Sequence, residues 1–248
     1  MENRGELTTK QIVGLIILII SFAVILIFIF ALDLSGTTRK EVCHNSVILK
    51  GKSEGLVGEL DCRTNYVCIS GGGKCEGIPV TETRKVDADN KTQIMQAIAE
   101  EMRDCWWMFG EGEINYVGSV LGSHCAICST IKFDDKVRDK TSVDPISTRE
   151  FYQFLETPMK KKTISYLTYL YEVRNLEKFL DKFEEAKEKY NANPPIETRE
   201  KYLVITGLDE NFEAWGLREE DQFLHPRFIK ASELDEIDFC LDFDITKA

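Results

Sequence analysis

The sequence predicts an α+β protein in which an N-terminal transmembrane helix precedes a soluble mixed-sheet domain with several amphipathic helices. Three observations carry this. Residues 12–32 contain no charged side chain and are almost wholly aliphatic or aromatic. Behind them, short apolar runs bounded by glycine, proline and asparagine alternate with segments whose apolar residues recur at helical spacing. All eight cysteines lie in that second part.

The twenty-one residues 12–32 suffice to span a bilayer. At about 1.5 Å per residue a helix of this length covers roughly 30 Å, the thickness of the hydrocarbon core, and satisfies its own backbone where no water is present. Lys10 and Asp33 bracket the run, and Gly14 and Ser21 inside it are small residues that transmembrane helices accept. A cleaved secretory signal has a shorter apolar region, about 7–15 residues, and a buried core helix keeps one polar face. The lipid bilayer is thus an expected partner through residues 12–32, in a single pass.

Orientation rests on two arguments that disagree. Arg4 and Lys10 stand against Arg39, Lys40, Lys50 and Lys52, which mildly favours a cytoplasmic domain. The cysteines, Cys43, Cys62, Cys68, Cys75, Cys105, Cys125, Cys128 and Cys240, form an even set suited to disulfides and an oxidising compartment. We weigh the cysteines more heavily, which places the domain outside the cytoplasm. The net charge of −11 repels nucleic-acid phosphates, and no basic stripe offsets it, so nucleic-acid binding is excluded as an expectation.

The expected organisation is a tail over residues 1–11, the span over 12–32, a linker over 33–40, a Cys-rich β segment over 41–80 and an α+β domain over 81–248. Residues 41–248 alternatively form one domain. Ser46–Leu49 and Asn65–Ile69 have strand character. Gly71-Gly72-Gly73-Lys74 marks a turn that would set Cys68 and Cys75 on facing arms of a hairpin. A phosphate-binding loop does not fit there, because Lys74 is followed by Cys75 rather than by Ser or Thr opening a helix.

Thr81–Val86 predicts a solvent-facing strand and Asp89 or Asn90 the cap of a helix running towards Phe109. Ile94, Ile98, Met102, Cys105 and Phe109 form its buried stripe. Adjacent Trp106 and Trp107 face different directions, one towards the sheet and the other towards a rim that is a candidate contact surface. Asn90-Lys91-Thr92 matches a glycosylation acceptor, although a helix cap already accounts for the asparagine.

Cys125-Ala126-Ile127-Cys128 is the most chemically suggestive motif. At a helix start the spacing brings two thiols together as a redox pair, making Cys125 and Cys128 catalytic candidates; with Cys105 and His124 it supplies metal-ligand candidates. Against both, Ser129–Phe133 continues as a strand and no second Cys-x-x-Cys exists, so structural disulfides are the leading reading and no cofactor is expected. Glu111 and Glu113 are turn carboxylates rather than an acid–base pair. His44, His124 and His225 lack a metal-type spacing.

The remaining third predicts ordinary elements. Ser147-Thr-Arg-Glu150 resembles a capping box before a helix ended by Pro158, and Leu176–Tyr190 predicts an amphipathic helix. Lys201–Thr206 and Ile237–Phe243 predict strands extending one mixed sheet. Tyr166, Tyr169 and Tyr171 form an aromatic patch explained by core packing, with a glycan or protein partner as the alternative.

Cys43-His-Asn-Ser, Cys105-Trp-Trp-Met-Phe-Gly-Glu-Gly and Cys125-Ala-Ile-Cys behind an N-terminal apolar helix resemble uncharacterised archaeal single-span membrane proteins. The resemblance covers most of the first 135 residues and implies no activity, catalytic residue or partner. An archaeal pilin comparison rests on the apolar helix and on Gly5-Glu6 as a processing point, without a prepilin pattern after it. The expectation that follows is a non-enzymatic, membrane-anchored extracytoplasmic module for binding or envelope structure. A tethered thiol-redox or metal-dependent enzyme centred on Cys125 and Cys128, and a pilin-like assembly subunit, are the alternatives.

Overall fold

The computed structural model describes residues 9–31, 34–53, 59–117, 124–138, 140, 142–159, 163–183, 187–188, 195–208 and 223–236. The chain divides into two compact units, Met1–Arg39 and Lys40–Ala248. The first contains helix α1 (Thr9–Ala31), whose side chains are described from Ile12 to Ile25 and are all exposed. Within it Ser21 Oγ donates to the Ile17 carbonyl at 2.8 Å, so the polar atom is satisfied inside the helix. Among the described residues, no helix is long and apolar enough to cross a membrane.

Helix α2 (Leu34–Lys52) occupies the region where a linker and the Ser46–Leu49 strand were expected. The burial pattern explains the difference. The fully buried positions are Cys43 and Val47, with Lys40 and His44 half-buried beside them, at helical rather than alternating spacing. Local β propensity at Val47-Ile48 yields to this packing. The Cys43–Cys62 disulfide ties the helix to the chain that follows.

The second unit is an α+β fold on a mixed sheet. Strands β1 (Asn65–Ser70), β2 (Glu82–Lys85), β3 (His124–Phe133), β6 (Tyr202–Leu208) and β7 (Phe223–Lys230) lie in the order β2-β1-β3-β6-β7. β1 runs parallel to both β2 and β3, whereas β3, β6 and β7 are antiparallel. Strand β4 (Ile146–Ser147) pairs separately with β5 (Pro195–Ile196). The parallel β1–β2 pairing corrects the expected hairpin. Cys68 and Cys75 are bonded, but Cys75 lies in the connection between two parallel strands.

Helix α3 (Lys91–Met108) connects β2 to β3, and the periodic stripe read from sequence is its buried face: Ile94, Ile98, Met102 and Cys105 are buried, as is Phe109 beyond it. Asn90 caps it, its Oδ1 accepting the Gln93 N–H at 3.1 Å. The main core joins this face to β1, β3, β6 and helices α4 (Asp135–Arg138), α5 (Thr148–Leu155), α6 (Tyr166–Tyr171) and α7 (Leu176–Lys182). A smaller cluster of Cys125, Leu203, Ile205, Leu224 and Ile229 occupies the other face of the sheet. Gly207 is needed in β6 because a Cβ there would overlap the His124 carbonyl of β3.

Ser147 sits at the N-cap position of α5, yet its side chain makes no capping bond, so the expected capping box is not formed. Helix α7 ends at Lys182 with Phe183 as its C-cap, and within the run expected to reach Tyr190 the described residues Lys187 and Glu188 are helical as well. Ala186, Tyr190, the Ile237–Phe243 strand and the Gly5-Glu6 processing point lie outside the described residues.

Candidate functional site

Cys125 and Cys128 lie in β3, a strand rather than a helix start. Cys125 belongs to the small cluster and Cys128 to the main core, so the two side chains stand on opposite faces of the sheet. They are not joined to each other. Cys128 is bonded to Cys105 of α3, and Cys125 is disulfide-bonded as well; Cys240 lies outside the described residues. Alternation along a strand thus separates what a helix would bring together, which removes the geometry required of a redox pair. The same bonds remove Cys105, Cys125 and Cys128 as thiolate ligands beside His124. Among the described residues, no group of three or more His, Cys, Asp or Glu side chains is placed to hold a metal ion.

The tryptophans are likewise taken up by the fold. Trp106 is buried against His225, with ring centroids 5.0 Å apart. The Trp107 indole is stacked under His44 of α2 at 4.1 Å and 17°, while the Trp107 carbonyl accepts a hydrogen bond from His44 Nδ1 at 2.7 Å. The predicted rim contact is therefore made by the chain's own helix. Glu111 accepts a short hydrogen bond from Tyr169, and Tyr166 and Tyr171 are buried. The glycine loop faces a carboxylate of the protein itself. Asp134 Oδ2 accepts the Gly73 N–H at 2.6 Å and the Ser70 hydroxyl at 2.8 Å, and Oδ1 accepts the Val137 N–H at 2.9 Å. Burial raises the Asp134 carboxyl, but these donors outweigh it and hold the group below its ordinary 3.8.

A buried ion cluster fixes α2 to α3 and β2. Lys40 Nζ lies 2.7 Å from Asp104, 2.9 Å from Glu82 and 3.5 Å from Glu101. Arg84 reaches the same carboxylates, with Nη2 at 2.6 Å from Glu101 and 2.9 Å from Asp104. Burial draws the Lys40 ammonium down, yet Glu101, Asp104 and Glu82 together hold it above 10.5. Glu101, 1% exposed, is raised above 4.5 by burial in spite of Lys40 and Arg84. Every member faces another, which is the arrangement of a structural clamp.

An arrangement with room for a ligand lies elsewhere among the described residues, in a cavity of about 310 Å³ between α5, α7 and β5 on one side and β7 on the other. Among the described residues β7 is the outer strand of the large sheet. Phe151, Tyr152, Phe179 and Phe183 come from the helical side, and Tyr202 and Phe228, stacked at 4.4 Å and 12°, from the sheet. Three polar side chains of this wall are engaged by backbone. Tyr171 Oη donates to the Pro226 carbonyl at 2.9 Å, His225 Nδ1 donates to the Leu170 carbonyl at 2.7 Å, and Tyr202 Oη accepts the Glu197 N–H at 2.7 Å. Burial drives the Tyr171 and Tyr202 phenols far above their ordinary range, so both remain neutral. Arg227, Lys230 and Glu233 are the charged residues of the lining, and Lys230 pairs with Glu197 at 2.8 Å. Such a volume, apolar walls and few polar groups match a small-molecule site. Protein-family models, curated proteins and solved structures give no match to the chain.

Sequence reasoning missed this site. Its residues come from eight elements spread over 102–233, and each aromatic taken singly sits at a core position of its own helix or strand. The signal present was density: aromatic residues recur through 151–183 and again at Tyr202, Phe223 and Phe228. Only the pairing of β7 with β6 brings the second group opposite the first.

Proposed function

We propose that the protein is a membrane-anchored binding module. Its single span is the whole uncharged run 12–32, longer than the stretch 12–25 whose side chains are described and which by itself is too short to cross a membrane; its disulfide-bonded α+β domain lies outside the cytoplasm with the aromatic cavity as ligand site. The observation that carries the reading is the oxidation state of the cysteines: Cys43–Cys62, Cys68–Cys75 and Cys105–Cys128 are bonded, Cys125 is bonded too, and no cysteine among the described residues is free. Structural disulfides in this number persist in oxidising compartments and are rare in reducing ones. The anchor is supported by the uncharged run 12–32 and by the exposure of the described α1 side chains, which reaches 69% at Leu18. Apolar side chains so uniformly exposed are costly in water and at home in lipid. Binding rather than catalysis is favoured because the cavity presents aromatic faces and backbone-engaged polar atoms, and the thiols that offered chemistry are in disulfides.

The test is mass spectrometry of full-length protein purified from membranes, alkylated before and after reduction, with protease digestion of intact cells. We expect no alkylated cysteine before reduction and all eight after it, with the domain cut from outside. Free thiols in the unreduced protein, or protection of the domain in intact cells, would overturn the assignment.

A further inference from the structure

The cavity also constrains the class of its ligand, an inference that rests on the binding-module reading above. We infer that it takes an uncharged, flat apolar molecule of one or two fused rings. Seven of the lining side chains are aromatic, from Phe151 to Phe228, and Tyr202 and Phe228 are stacked on each other, which holds both rings in fixed orientation at the sheet side of the cavity. Its volume of about 310 Å³ stands at the lower end of ligand pockets, which run from roughly 300 to 1,000 Å³, and so admits a small ring system rather than a long chain. The charges at the cavity cancel. Arg227 and Lys230 are matched by Glu233 in the lining and by Glu197, already paired with Lys230, so no single sign is favoured. A charged group carried among the aromatic walls would lose its hydration without a dedicated partner. Ring faces with offset or edge-on neighbours recover dispersion and quadrupole contacts that a saturated chain would only partly obtain.

The experiment uses the full-length protein in lipid nanodiscs and three probes of one shape: neutral indole, anionic indole-3-acetate and cationic tryptamine. Calorimetric titration should show indole saturating with a dissociation constant on the order of 0.1–1 mM, and both charged analogues at least about tenfold weaker. In Thr148→Trp, which places an indole side chain in the cavity lining, added indole should no longer bind; circular dichroism reports whether that variant is folded. Failure of indole to saturate, a charged analogue binding as well as indole, or undiminished binding to folded Thr148→Trp would each overturn the inference. Should the variant not fold, the comparison of the three probes decides alone. Because thiol state and topology are measured separately, free thiols together with selective indole binding would remove the extracytoplasmic assignment and leave the ligand class standing.

Discussion

Replacing Lys40 by Met should destabilise the domain more than replacing Glu101 by Gln, although Glu101 is the more deeply buried of the two. Lys40 is 12% exposed and lies among Glu82, Glu101 and Asp104, which are 29%, 1% and 15% exposed. Met keeps the length of the stem and removes the charge. Removing one member of a buried ion pair costs about 3–5 kcal/mol, largely because the partner is left uncompensated. Here Arg84 remains within 2.6 Å of Glu101 and 2.9 Å of Asp104, so the loss is about 2–3 kcal/mol after that compensation. Glu101→Gln differs in kind. Burial disfavours the Glu101 charge and raises its carboxyl above 4.5, and Lys40 and Arg84 retain Asp104 and Glu82, so the neutral isostere should cost only about 0–1 kcal/mol. For a domain of this size about 1 kcal/mol corresponds to roughly 2–4 °C in Tm. Lys40→Met should therefore lower Tm by about 5–10 °C and Glu101→Gln by about 3 °C or less, read by near-ultraviolet circular dichroism of the full chain. Equal losses, or a larger loss for Glu101→Gln, would refute the view that the lysine is the keystone of the cluster.

The other predictions concern the disulfide on α2 and the carboxylate under the glycine loop. Cys43 and Cys62 are 19 residues apart, so replacing both by Ser should cost about 3 kcal/mol by loop-closure entropy, visible as a lower urea midpoint; an unchanged midpoint would show that the ion cluster alone holds α2. Asp134→Asn puts an amide N–H₂ where an oxygen accepted N–H donors, and should cost about 2–3 kcal/mol at neutral pH. Because the Asp134 carboxyl is held below 3.8 in the folded protein, its contribution is present above 3.8 and is lost as the pH falls through the folded-state value. The gap between wild type and Asp134→Asn should accordingly narrow below about pH 3.8, and a gap independent of pH would argue that Asp134 is protonated throughout.

Where the sequence was legible, the information was periodic and local. Ile94, Ile98, Met102 and Cys105 repeat at three and four, and nothing outside α3 is needed to see that they share a face; Asn90 announces the start of that helix in the same way. β1, β3 and β6 were visible as apolar runs because burial on both faces leaves little room for polar residues. The errors share one cause. Ser46–Leu49 has β-branched residues, so it resembles a strand until Lys40, Cys43, His44 and Val47 find partners on β2, α3 and the chain around Cys62. Cys68 and Cys75 suggest a hairpin until β2 is seen to pair parallel to β1. The same limit hid the cavity, and it also explains the misleading strength of Cys125-x-x-Cys128. A two-residue spacing has chemical meaning only once the secondary structure is known: on a helix it joins two thiols, and on β3 it sends one to each face of the sheet. The step from motif to chemistry therefore passes through the sheet register, and the register is set by β6, some eighty residues further along the chain. The disulfides that displaced the redox reading are thus a consequence of the fold.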